Sequence, residues 1–180
     1  MWSVKQENDE QLDELTVHLA TDVGLLAVIA PGGLAGRQDG YSWWTDEDLL
    51  LAEANAGHII PIETGEEGGF AVRVTFDELD ERERRLAAQS ALFWLHVADD
   101  GEVAVVSGEE LSFPDTSGAA TFWAEPGAYT ATVTRLRWTE AADDDTEDAL
   151  PDYVVRLQPF EPGDEAPELD YIPDLSISDE

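Results

Sequence analysis

The side chains able to do chemistry in this sequence are many in number and few in kind. Cysteine is absent, which excludes disulfides, thiolate nucleophiles and Cys-based zinc sites. The three histidines, His18, His58 and His96, are scattered without H-E-x-x-H or any comparable ligand spacing. His18 and His96 fall in strand-like stretches, where an ordinary surface or core-edge histidine is the better reading. Carboxylates are so abundant that a glycosidase-like acid pair could be drawn almost anywhere, so that pattern carries no information. The run Asp143, Asp144, Asp145, Glu147, Asp148 has oxygen ligands for Ca²⁺ or Mg²⁺. It lacks the mid-loop glycine and the ligand spacing of an EF-hand, and reads as a solvated acidic loop. "PGGLAG" (31–36) matches neither dinucleotide nor P-loop fingerprints, and no helix follows it to hold phosphate. Arg82, Arg84 and Arg85 alternate with Glu81 and Glu83, the spacing of surface ion pairs on a helix. No catalytic constellation emerges. The expectation is a binding protein, not an enzyme, with no cofactor and no metal.

The stretch "YSWWTDEDLLLAEANAG" (41–57) is the one place where aromatics and acids adjoin. Thr45 is a good N-cap, and Asp46, Glu47 and Asp48 fall in a first turn, where the helix dipole favours negative charge. Trp44 and Leu49 stand at the two positions of a hydrophobic staple, and Gly57 suits the C′ position. Trp44 therefore reads as core. Trp43 points the other way in an extended lead-in, so it is the candidate contact residue, with Asp46 and Glu47 beside it. The acidic run Asp143, Asp144, Asp145 is the second candidate partner-binding element.

The elements that must position these residues are mostly strands. "ELTVHLA" (14–20) and "FAVRVTF" (70–76) alternate apolar and polar residues with period two. "GLLAVIA" (24–30) and "ALFWLHV" (91–97) are near-continuous apolar runs, as in strands covered on both faces. Asp100-Gly101 between "ALFWLHV" and "EVAVVSG" supplies the positive φ of a tight hairpin turn. "HIIPIE", "ATFWA", "AYTATVTRLRW" and "DYVVRLQPF" complete a set of eight to ten short strands. Helix is confined to 46–56 and a second segment, "DELDERERRLAAQ" (77–89). The expected fold is mainly β, a single-domain antiparallel β-sandwich with one or two short helices. It spans 12–160, after an N-terminal extension (1–11) and before an acidic, proline-containing tail (161–180). The tail reads as solvated, although Tyr171, Ile172 and Leu175 could dock. A chain of 180 residues suits one domain that buries ~70% of its unfolded surface.

Charge is the loudest compositional signal. Forty-one acids against nine basic residues give −32, which repels nucleic acid and anionic membranes and attracts cationic partners. The basic set is eight arginines and a single lysine, Lys5, a scarcity that resembles the proteins of salt-in halophiles. At molar salt the Debye length is about 3 Å, so long-range steering is nearly abolished and only contact-range charge matters. No apolar run nears the ~20 residues of a membrane span, and no signal peptide is visible. These features lead to an expectation of a cytoplasmic protein with no membrane insertion and no direct nucleic-acid binding. Oligomeric state stays open.

In order, Trp44-Thr45-Asp46-Glu47, the block "VADDGEVAVVSGEELSF" and the strand "PGAYTATV" resemble the competence protein J family, described as inhibitors of a DNA-entry nuclease. The resemblance covers about residues 12 to 160 and rests on the order and spacing of elements, because none of these pieces is a catalytic signature. It implies a small acidic inhibitor whose partner is a nuclease and whose carboxylates occupy a groove built for phosphates. No motif of that family fixes the contact residues. Two alternatives remain: an immunity protein against a nuclease toxin, and a general interaction β-sandwich whose acidity is only halophilic.

Overall fold

The computed structural model describes residues 14–34, 43–112, 119–137 and 151–176. The acidic run Asp143–Asp145 and the 1–11 extension lie outside the described residues. Among the described residues, nine strands and three short helices follow one another as β1 (Glu14–Thr21), β2 (Leu25–Ile29), α1 (Pro31–Leu34), α2 (Glu47–Asn55), β3 (Ile59–Glu63), β4 (Gly68–Thr75), α3 (Glu81–Leu86), β5 (Ala87–Val97), β6 (Glu102–Ser107), β7 (Ala120–Trp123), β8 (Gly127–Leu136) and β9 (Tyr153–Pro159). Turns of 3₁₀ helix cover Trp43–Thr45 and Gly108–Ser112.

The strands form two sheets, ordered β1-β4-β9-β8-β5 and β3-β2-β6-β7. Period-two alternation turns one face of each toward the other. Phe70, Val72 and Val74 of β4, Phe93, Leu95 and Val97 of β5, and Tyr153, Val155 and Leu157 of β9 meet Leu26, Val28, Ile60, Ile62, Val103 and Val105 in one buried cluster. The architecture is thus the expected β-sandwich. One pair departs from the antiparallel rule: β4 and β9 run parallel, with Val72 opposite Tyr153 and Val74 opposite Val155. Alternation assigns a residue to a face but says nothing of its strand's neighbour or direction.

The second sheet is covered on both faces. Every residue of β2 is buried, because Leu25, Ala27 and Ile29 pack under Leu50 and Ala54 of α2, Leu34 of α1 and Ile172 of the tail. This is what the continuous run "GLLAVIA" required. "ALFWLHV" behaves differently: Leu92 and His96 are exposed and Trp94 is half-buried. The outer face of β5 therefore meets solvent, contrary to the expectation of two covered faces. At the other end of that sheet α3 forms a small roof, with Leu86 on Leu136 and Val154.

The Asp100-Gly101 turn is also not a hairpin. Gly101 does adopt φ +68, and its N–H bonds to the Ala98 carbonyl at 2.9 Å. However, β5 pairs with β8, whereas β6 pairs with β2 and β7. The turn carries the chain from one sheet to the other. A side chain at Gly101 would meet the Trp123 indole at 2.0 Å, so glycine is required there by space as well as by φ.

Two boundaries shift. The N-cap of α2 is Asp46, not Thr45, because the Asp46 carboxylate accepts from the N–H groups of Asp48 (3.0 Å) and Leu49 (3.3 Å) while Thr45 closes the preceding 3₁₀ turn. The tail is docked where it is described. Ile172 and Leu175 are buried, Asn55 exchanges two hydrogen bonds with the Leu169 backbone, and Asp174 bridges to Glu63. Tyr171 stays exposed at 66%.

Candidate binding site

One end of the sandwich is shaped by three turns that converge. At the entry to β2, the buried Thr21 hydroxyl accepts from the N–H groups of Val23 (3.1 Å) and Leu25 (3.3 Å), and Gly24 takes φ +73. This Thr-based turn exposes Asp22 and Val23 at its tip. The β3–β4 connection is tied to it by the Thr64 N–H, which donates to the Gly24 carbonyl at 2.9 Å. The Thr64 hydroxyl donates to the Glu66 carbonyl at 2.6 Å, which holds Glu66 and Glu67 outward. The tail supplies the third side through Asp174.

Between these turns and the start of α2 lies a pocket of about 550 Å³. Its floor is apolar, made by Leu25, Leu50 and Trp44, with Val23 at the edge. Its rim is anionic, made by Asp22, Glu63, Glu66, Glu67 and Asp174, and among the described residues no basic side chain lines it. The Glu63 carboxyl is raised above its ordinary value, first by burial and then by the charges of Asp174 and Glu47. Asp174 is lowered, because the side chain and backbone N–H of Ser176 donate to it. The rim thus joins one carboxyl that resists ionisation to another that is held as an anion.

Such a pocket suits a cation with an apolar stem. A lysine or arginine side chain fits this description: methylenes against Trp44 and Leu50, charge among carboxylates. A bare metal ion fits less well, because among the described residues no three His, Asp or Glu side chains converge to hold one. His58 pairs with Glu53 at 3.3 Å, while His18 and His96 are exposed on strands. Among the described residues, no nucleophile–base pair lines the pocket.

The Trp43–Glu47 stretch meets this site in part. Trp44 and Thr45 line the pocket, so Trp44 serves the second core cluster and the pocket wall at once. Glu47 is exposed and does not line the pocket, but it acts on Glu63 through its charge. The Asp46 carboxylate is engaged in capping α2. The side chain of Trp43 lies outside the described residues, as do Asp143, Asp144 and Asp145. Sequence reasoning missed Asp22, Glu63, Glu66, Glu67 and Asp174, which come from three separated segments. The only local signal was the acid pair in "TGEEGG" between two glycines.

Residues 13–142 match the model of DUF6386, described as a family of unknown function, and the chain belongs to that family. No curated protein matches it in sequence. Among solved structures it is similar to one titled "Crocagin biosynthetic gene J", with a TM-score of 0.56 and 16% identity, over 82% of this chain and 97% of that one. At that identity the likeness is one of fold.

Proposed function

We propose that this DUF6386 member is a non-catalytic binding protein that captures a basic side chain of a protein partner in the carboxylate-rimmed pocket, and that the partner is a nuclease. The observation that carries the reading is the pocket itself: an apolar floor around Trp44 under five carboxylates, with no cation among the described residues that line it. A nuclease presents lysines and arginines along the groove that holds DNA phosphates. A rigid surface of carboxylates substitutes for those phosphates and blocks the groove. The sequence resemblance to the competence protein J family supports the choice of a nuclease over other cationic proteins.

The test is a DNA-cleavage assay with a metal-dependent DNA-entry nuclease, titrated with this protein and followed by gel filtration of the mixture. Stoichiometric inhibition with co-elution supports the reading. Undiminished cleavage with separate elution, at both low and high salt, would sink it. Inhibition of a secreted nuclease toxin, but not of a DNA-entry nuclease, would redirect the same chemistry to an immunity role.

A further inference from the structure

The segment 168–176 lies past β9 and straps the second sheet at β3. Its hold is mostly apolar. Ile172 is buried in the cluster under α2 and Leu175 in the cluster between the sheets. The Asn55 side chain donates to the Leu169 carbonyl at 3.0 Å and accepts the Leu169 N–H at 2.8 Å. Asp174 lies beside Glu63 in a parallel bridge, and Ser176 sits so close to the β3–β4 turn that a side chain at Gly65 would collide with it. Charge opposes this arrangement. The segment carries Glu168, Asp170 and Asp174 and no Lys or Arg. It brings Asp174 into a pocket that Asp22, Glu63, Glu66 and Glu67 already line. Among the described residues no Lys or Arg pairs with Asp174. Arg135 is taken up over the rings of Tyr153 and Phe70, 4.7 Å and 5.8 Å from their centroids. Burial pulls the segment down and like charge pushes it off, and ions screen only the second force.

We propose that 169–176 is a latch that cations close, docking when the carboxylates gathered around Asp174 and Glu63 are neutralised from outside the chain and lifting when they are not. The closing charge is a salt cation or a basic side chain of a partner. The pocket follows the latch, because Asp174 is its third side and belongs to it only in the docked state. A guest that meets Asp174 and Glu63 together therefore favours the closed latch by the same factor by which the closed latch favours the guest. The raised carboxyl of Glu63, with Asp174 second among its causes after burial, reports the same conflict. The guest rests on the pocket reading given above, whereas the latch stands without it.

The test is hydrogen exchange of the full chain at neutral pH from about 10 mM to about 1 M NaCl, over which the Debye length falls from about 30 Å to about 3 Å. Amides of 169–176 should exchange at least about tenfold more slowly in high salt, while those of β8 change less than about twofold. Asp174→Asn, at an exposed position and still able to accept the Ser176 N–H, should keep the segment docked throughout. Three results would overturn the latch: equal protection of the segment in low and high salt, loss of protection in β8 in step with it, or an Asp174→Asn chain that still opens in low salt. Butylguanidinium added in low salt tests the guest separately. Protection beyond that of NaCl at equal ionic strength supports a basic side chain in the pocket. Equal protection would overturn that guest and leave the salt-closed latch standing.

Discussion

Glu63 reports on the pocket from inside it. Burial, then Asp174 and Glu47, raise its carboxyl above 4.5, so the folded protein holds that proton more tightly than the unfolded chain does. The sign follows by linkage: this contribution is fully present below pH 4.5 and is lost as pH rises through the folded pKa. Glu63→Gln keeps the neutral form at all pH values. It should melt higher than the parent near neutral pH, with the gap closing in acid, as read from thermal melts across pH. A cationic occupant acts in the opposite direction. Binding should expel the proton and tighten as pH rises through the range where Glu63 ionises.

Glu83 carries the other residue-scale prediction. It is 2% exposed and receives Arg73 through two nitrogens, Nε at 2.8 Å among them. It also closes the capping box of α3 by accepting the Asp80 N–H at 2.9 Å. Removing its charge takes from the Arg73 guanidinium, itself 15% exposed, the carboxylate that holds two of its nitrogens. Breaking a pair of this kind costs about 3–5 kcal/mol. Glu83→Ala should therefore lose roughly that much in urea unfolding, with α3 lifting from the sheet. A loss under about 1 kcal/mol would mean the pair is solvated, like surface pairs.

At the scale of elements, α2 shows what fixes the pocket's near wall. Gly57 ends it at φ +81, and a side chain there would meet the Trp94 ring at 2.8 Å. Backbone strain at a position of this sort costs about 1–3 kcal/mol. Gly57→Ala should cost at least that in unfolding free energy, because the ring must shift as well. The glycine's role at the end of α2 was legible from the sequence, since Gly at C′ has a local cause. So was the buried course of β2, whose continuous apolar run has no solvent face to offer. The sheet change at Gly101 and the parallel β4–β9 pair were not legible, because strand neighbours depend on contacts distant in sequence. The pocket was hidden for the same reason. Trp44, Glu47, Glu63 and Asp174 become neighbours only after the tail docks on Glu63 through the 172–175 segment.

For the whole molecule, charge is unevenly placed. The carboxylate-rimmed pocket sits at one end, while the β5–β8–β9 face holds no acid and α3 beside it carries Arg82, Arg84 and Arg85. Net charge alone treats every carboxylate alike and supports solubility in salt. A function local to the pocket is separable from that general acidity, and one measurement decides between them. Glu66→Lys/Glu67→Lys, at the pocket rim, and Glu161→Lys/Glu165→Lys, on the exposed tail, change net charge equally. Their affinities for the inhibited nuclease should be compared by titration calorimetry at two salt concentrations. The rim variant should lose at least about 3 kcal/mol of binding while the tail variant stays within about 0.5 kcal/mol of the parent. Equal losses in both variants would show that bulk charge carries the interaction, and would contradict the pocket as its site.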